Sequence, residues 1–212
     1  QTINKLINEQ SRPMTIIISG AKVSTKIVLI KKLLAKCDYM VLGGGILNTF
    51  LRAKGHEVGK SLIEEGYVSD AVKILESDFA DKIIFPSDFS CATEDGIANV
   101  ELSRISTNDS IYDLGSASIN EITNIVRKSV SVFWNGPLGY VEKKPFNKGT
   151  EELAKAIADH NCFSIVGGGD TLPIIENLKL QNGYNCLSTG GGSLLTYLEG
   201  GSLPIVDKLN LR

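Results

Sequence analysis

Two lysines lie where a predicted helix begins, a position at which cations are unfavourable. Residues 20–26 follow an apolar run and carry Lys22 and Lys26, four residues apart. A cation at the amino end of a helix dipole costs about 0.3–1 kcal/mol, so an anion bound there should offset both charges. The spacing allows both ammonium groups to reach the same anion. The alternative is two solvated lysines on a turn.

An acid and a hydroxyl follow a second glycine turn, at residues 167–169. Asp170 is either the N-cap of the next helix or a magnesium ligand, with Thr171 beside it. The second interpretation has a chemical basis, because Mg²⁺ on a nucleotide is commonly held through one or two carboxylates, phosphates and waters. Gly190, Gly191 and Gly192 offer only backbone N–H groups at a helix start. Such donors suit a charge that forms and vanishes during a reaction.

The elements that position these residues alternate between strands and helices. Four short apolar runs end in glycine turns, near residues 20, 43–45, 167–169 and 190–192. Strands that alternate with helices pair in parallel, so their carboxyl ends meet at one edge of a sheet, where glycine N–H groups can bind phosphate. The four turns together therefore predict one anion-binding site at this edge.

The pattern predicts a doubly wound parallel sheet of about six strands with helices on both faces, an α/β Rossmann-like three-layer sandwich. Residues 86–110 are irregular, and we expect a small antiparallel excursion or a surface loop there. The predicted strands are 14–19, 39–42, 82–85, 111–114, 130–134, 162–166 and 185–188. The predicted helices with defined limits are 2–10, 46–54, 117–128, 149–159, 171–178 and 191–198.

Composition excludes several classes of function. The 22 basic and 24 acidic residues nearly balance, so we expect no nucleic-acid partner. No apolar stretch approaches the roughly 20 residues that cross a bilayer, and the four separated cysteines indicate buried thiols in a reducing compartment, which predicts a cytoplasmic protein. We expect one domain over 1–212.

The fingerprint Gly-x-Gly-x-x-Gly after a strand is absent, which disfavours a nicotinamide-dependent oxidoreductase.

Several segments together resemble phosphoglycerate kinase, specifically its carboxyl-terminal, nucleotide-binding half. Their order and spacing match as well as their residues, over nearly the whole chain. The matching segments are 20–23 with Lys26, 43–51, 59–62, 134–139, Phe146 with 149–150, 167–171, and 188–192 with 198–200.

The resemblance implies reversible transfer of a phosphoryl group between 1,3-bisphosphoglycerate and MgADP, giving 3-phosphoglycerate and MgATP in glycolysis. In the family the acid substrate binds a separate amino-terminal domain, which these residues do not match. We therefore expect this chain to bind ADP or ATP with Mg²⁺ without turnover on its own, and to be a monomer. The alternative from another class is an adenine-nucleotide binding or sensing module that never catalyses.

The resemblance also implies roles for individual residues. Lys22 would neutralise the transferring phosphoryl group, and Gly190, Gly191 and Gly192 would donate N–H groups to it. Asp170 would hold the magnesium ion. Glu142 would bind the ribose hydroxyls. The remaining expected nucleotide contacts are Lys26, Asn135, Gly167, Gly168, Gly169 and Thr171 at the phosphates, and Gly20, Ala21, Gly44, Gly45, Leu62, Pro137 and Leu138 around the adenine.

Overall fold

A six-stranded parallel sheet forms the centre of the computed structural model, which describes residues 12–189. The strands are β1 (Met14–Ser19), β2 (Tyr39–Gly43), β3 (Ile83–Ile84), β4 (Asp88–Thr93), β5 (Gly96–Glu101), β6 (Ser110–Leu114), β7 (Ser131–Asn135), β8 (Phe163–Gly167) and β9 (Cys186–Ser188). The strand order of the six-stranded sheet is β3-β2-β1-β7-β8-β9, and every pairing in it is parallel. The predicted fold class is confirmed.

Six α-helices connect these strands within residues 12–189. They are α1 (Ile27–Leu34), α2 (Gly44–Ala53), α3 (Val68–Leu75), α4 (Ser116–Lys128), α5 (Lys148–Asp159) and α6 (Leu172–Asn177). Helices α1 to α3 lie in the connections from β1 to β3, whereas α4 to α6 lie in the connections that lead to β7, β8 and β9. The two groups must cover opposite faces, because parallel crossovers are right-handed and the strand order reverses direction between β1 and β7.

Short 3₁₀ turns complete the connections, at Val23–Thr25, Glu65–Tyr67, Ala80–Lys82, Leu102–Arg104 and Gln181–Gly183. Helix α2 begins at Gly44, two residues before the predicted start, because the glycine turn is itself the first turn of the helix. The predicted helices 2–10 and 191–198 lie outside the described residues.

A second, three-stranded sheet contains β6, and one prediction is wrong there. Residues 111–114 are predicted as part of the parallel alternation, but β6 pairs antiparallel with β4, which also pairs antiparallel with β5. The irregular stretch 86–110 does contain the expected antiparallel excursion. A short strand-like segment such as the one around Ile111 indicates that a strand exists, but it does not indicate which sheet the strand joins.

The core lies between the parallel sheet and its helices. All six residues of β1 are buried, as expected for a strand covered on both faces. Three cysteines are buried free thiols, whereas Cys186 is only half-buried. None of the helices in residues 12–189 has the length and apolar character needed to span a membrane.

Candidate functional site

The point where the sheet reverses its strand order opens into a cleft. Strands β1 and β7 are neighbours, and Ser19 and Asn135 end them. Two cavities of about 400 and 350 Å³ lie at this edge and share Gly20, Pro137 and Asp170 in their walls. They are therefore two halves of one cleft. Ligands of doubly wound sheets bind at this kind of switch point.

The larger half of the cleft is mainly apolar. It brings together seven residues that the sequence predicts around a base and ribose, namely Gly20, Ala21, Gly44, Gly45, Leu62, Pro137 and Glu142. Its remaining lining residues are Asn48, Ile111, Tyr112, Gly139, Tyr140 and Asp170. An apolar slot with a few polar groups is typical of a small-molecule site.

Two glycines allow the walls of this slot to approach each other. Gly44 has a positive φ of 61°, which costs glycine little. A Cβ atom added at Gly45 would lie 2.3 Å from the carbonyl oxygen of Ala21. The first turn of α2 therefore rests directly on the turn after β1, and the N–H of Ile46 donates to the carbonyl of Gly20 at 3.1 Å.

The smaller half of the cleft is polar. Its lining residues are Ser19, Gly20, Lys26, Asn135, Gly136, Pro137, Gly168, Gly169, Asp170 and Thr189. Glycine N–H groups, a cation and an amide are the donors that phosphate oxygens accept. The carboxylate of Asp170 is exposed at the junction of the two halves.

Lys26 points inward in this polar half. Its ammonium donates to the carbonyl of Ser19 and, at 2.8 Å, to Oδ1 of Asn135. Burial lowers the pKa of Lys26, and the negative charge of Asp170 opposes that effect. The lysine is thus a partly desolvated cation held by two neutral oxygens, a state that an incoming phosphate would stabilise.

Lys22 is exposed and lies outside the lining of both cavities. Of the two lysines, Lys26 alone therefore lines the cleft, and their reaching one anion stays a prediction. Thr171, rather than Asp170, occupies the N-cap position of α6. The Thr171 hydroxyl is buried and has no hydrogen-bond partner among the described residues.

Side chains hold the loop after β7 through hydrogen bonds to its backbone. The Ser19 hydroxyl donates to the carbonyl of Pro137, and Nε1 of Trp134 donates to the carbonyl of Gly136 at 2.7 Å. The hydroxyl of Thr150 accepts the N–H of Leu138 at 3.0 Å. Trp134 is fully buried.

Three predicted contacts, Gly167, Leu138 and Thr171, are buried and do not line either half of the cleft. Gly190, Gly191 and Gly192 lie outside the described residues. The roles assigned to all of these residues stay predictions.

Sequence reasoning missed five residues of the apolar half. Ile111, Tyr112, Gly139 and Tyr140 come from β6 and from the loop after Pro137. The rings of Tyr112 and Tyr140 lie 5.6 Å apart between centroids. Asn48 lies one helical turn after Gly44, so the helical period could have identified it. No local signal places Tyr112 in the cleft, because β6 reaches it from the second sheet.

Comparisons with known proteins agree with this geometry. The family model described as phosphoglycerate kinase matches residues 1–201. Phosphoglycerate kinase of Buchnera aphidicola subsp. Baizongia pistaciae is 43% identical over 99% of this chain and 53% of the relative. The protein of the same name from Baumannia cicadellinicola subsp. Homalodisca coagulata is 40% identical, over 99% of this chain and 54% of that relative. The chain therefore spans about half the length of the curated relatives it matches.

Solved structures give the same result. The phosphoglycerate kinase of Coxiella burnetii has a TM-score of 0.91 and 35% identity, over 100% of this chain and 56% of that one. The phosphoglycerate kinase of Pyrococcus horikoshii OT3 has a TM-score of 0.87 and 28% identity, over 99% of this chain and 55% of that one. The family model covers almost the whole sequence, and the fold and the cleft agree with it, so this chain belongs to the phosphoglycerate kinase family.

Proposed function

We propose that this chain is the nucleotide-binding part of a phosphoglycerate kinase. Such an enzyme reversibly transfers a phosphoryl group from 1,3-bisphosphoglycerate to MgADP, giving 3-phosphoglycerate and MgATP. The observation that carries the proposal is the two-part cleft at the switch point, which joins an apolar slot to a polar half of matching size. An adenine nucleotide has the same division between base and phosphates.

The nucleotide would lie along the cleft with its base between the first turn of α2 and Leu62. Glu142 is exposed at the edge of the apolar half, where its carboxylate could accept hydrogen bonds from ribose hydroxyls. Lys26, Asn135 and the glycines at 168–169 would contact the phosphates. Gly190 to Gly192 would supply further N–H donors at the reacting end.

A magnesium ion would be held by Asp170. The donor set fits, because Asp170 is an exposed carboxylate at the junction with the phosphate half. No group of three or more metal-ligating side chains occurs among the residues that the structure describes. Mg²⁺ needs only one or two carboxylates when phosphates and waters complete its coordination. When bound, the ion neutralises charge on the phosphates.

The chain's own contribution to catalysis would be positioning and charge. Phosphoryl transfer needs little covalent help from a protein. Lys22 is solvent-exposed and outside the two cavities, so its ammonium is free to follow a group that moves away from the nucleotide. The acid substrate would bind a separate amino-terminal domain. We further propose that 1–212 form one nucleotide-binding domain of a monomeric, cytoplasmic enzyme.

Calorimetry tests the proposal directly. We expect this chain to bind ADP, and to bind it more tightly with Mg²⁺ than with a chelator present. Asp170→Ala should remove most of the Mg²⁺ effect, a loss of about tenfold in affinity or roughly 1.4 kcal/mol. Asp95→Ala, at an exposed turn between β4 and β5, is the control and should behave as the unmodified chain. Absence of binding at millimolar ADP would refute the proposal.

A further inference from the structure

An acidic residue outside the cleft holds the turn that carries both lysines. The Glu64 carboxylate accepts the N–H of Ser24 at 2.7 Å and the Ser24 hydroxyl at 2.8 Å, across 40 residues of sequence. Ser24 lies in the 3₁₀ turn Val23–Thr25, which separates Lys22 from Lys26. Glu64 therefore holds the turn between the two lysines, in addition to the contacts that Lys26 makes with Ser19 and Asn135.

The turn has no capping group of its own. Lys22 and Lys26 occupy the positions before Val23–Thr25 and before α1, and neither side chain caps the backbone. Neither first turn contains an acidic residue. Free N–H groups at such a start need an acceptor, and Glu64 supplies it. The hydrogen bond from the Ser24 N–H, with the charge of Lys22 contributing, lowers the pKa of Glu64.

The same segment also forms part of the apolar half of the cleft. Leu62, two residues before Glu64, lines the slot. The carbonyl of Leu62 accepts a hydrogen bond from Nδ2 of Asn48 at 3.2 Å. The backbone N–H of Glu64 donates a hydrogen bond to the hydroxyl of Thr49, also at 3.2 Å. Thr49 is fully buried on α2 and donates in turn to the carbonyl of Gly45 at 2.8 Å. Residues 62–64 are thus fixed to α2 on one side and to the lysine turn on the other.

We propose that Glu64 is a positioning residue for phosphate binding, which holds the lysine turn in register with the base slot. The inference rests on the proposed function, because it acts on the same nucleotide. Glu64 does not touch the nucleotide in this proposal. It determines where Lys22 and Lys26 lie relative to a base seated against Leu62 and the first turn of α2.

Two substitutions distinguish the positioning role of Glu64 from an effect of its negative charge alone. Glu64→Gln removes the negative charge but keeps an oxygen acceptor for Ser24, so ADP should bind at least as tightly as to the unmodified chain. Glu64→Ala removes the acceptor as well, and ADP binding should weaken about tenfold although a repulsive charge has been lost. Glu65→Ala, an exposed acid at the next position, is the matched control and should leave ADP affinity unchanged.

Adenosine supplies the second readout, because it lacks phosphates. We expect Glu64→Ala to change its affinity, measured by NMR titration, less than twofold. If Glu64→Ala and Glu64→Gln tighten ADP binding equally, Glu64 acts only as a charge and the inference is wrong. The inference is also wrong if adenosine and ADP weaken together, since the loss is then structural. Failure of the unmodified chain to bind ADP would instead refute the proposed function.

Ser24→Ala keeps the test decisive if Glu64→Ala does not fold. It removes the hydroxyl donor but leaves the backbone N–H that Glu64 also accepts. ADP binding should weaken in the same direction by a smaller factor, with adenosine unaffected. An unchanged ADP affinity in a folded Ser24→Ala chain would count against the role of this contact.

Discussion

At the scale of single residues, Lys22 and Lys26 have different environments although their spacing makes them look equivalent. Lys26 is directed inward onto Ser19 and Asn135, whereas Lys22 is exposed. Cations at a helix start predict an anion that offsets their charge. Glu64 supplies a carboxylate at this segment. A bound ligand is therefore not needed to provide all of the negative charge that the two lysines call for.

This difference predicts different kinetic effects in a kinase chain that carries both halves of the enzyme. Lys22→Ala should lower kcat by on the order of 10²–10³ with little change in KM for ADP, because its charge is needed mainly in the transition state. Lys26→Ala should raise the KM for ADP. Steady-state kinetics in both directions would measure these effects, with Lys31→Ala on α1 as the control. An unchanged kcat in Lys22→Ala would remove that residue from the mechanism.

At the scale of elements, the contact between the first turn of α2 and the turn after β1 shapes the slot. The backbone of Gly45 lies so close to Ala21 that no side chain fits between them. Neighbouring parallel strands place both turns at one edge of the sheet, and β1 pairs with β2 along its length. Gly44 and Gly45 therefore serve packing of backbone on backbone, against Gly20 and Ala21, and the slot exists because that packing is close.

Gly45→Ala should consequently destabilise the fold by about 1–3 kcal/mol, the usual cost of overpacking, even though alanine favours helices. Urea unfolding followed by circular dichroism would measure this change. Gly66→Ala is the matched control, since a Cβ atom there meets nothing within 4 Å, and its effect should be within about 0.5 kcal/mol. Equal stability of Gly45→Ala and the unmodified chain would contradict this account of the slot.

The elements also show what sequence could predict. Buried strands such as β1, the glycine turns and their common sheet edge follow from apolar runs and from the rule that parallel strands align their ends. The glycine turns that line the polar half were predictable for the same reason. The partner of β6 was not, because antiparallel pairing with β4 depends on distant contacts. Tyr112 and Ile111, which that strand delivers to the cleft, were missed as a result.

At the scale of the whole molecule, Asp113 links the second sheet to the helices behind the cleft. It lies in β6 between Tyr112 and Leu114 and is 2% exposed. Its carboxylate accepts the N–H groups of Gly149 and Leu114, each at 2.8 Å. Gly149 is in the first turn of α5, so one buried acid connects the small sheet to a helix of the large one. Burial raises the pKa of Asp113 to about 7.

This pKa predicts how stability depends on pH. An unfolded aspartate has a pKa near 3.9, so between about pH 4 and 7 the native state binds more protons. Asp113 then contributes stability that is full below about pH 4 and is lost as the pH rises to about 7. The slope should be on the order of 1 kcal/mol per pH unit. Denaturant unfolding of the unmodified chain and of Asp113→Asn would compare the two curves. Parallel curves over this range would contradict the prediction.

The division of the cleft between two sheets has a consequence for how such a protein can diverge. The polar half combines backbone at the ends of β1, β7 and β8 with the side chains of Lys26, Asn135 and Asp170, whereas much of the apolar wall comes from side chains on β6 and the loop after Pro137. Under the proposed function, substitutions on the small sheet can change which base is preferred without moving the groups proposed to bind phosphate. Base preference and phosphate binding would then be open to separate selection within one gene.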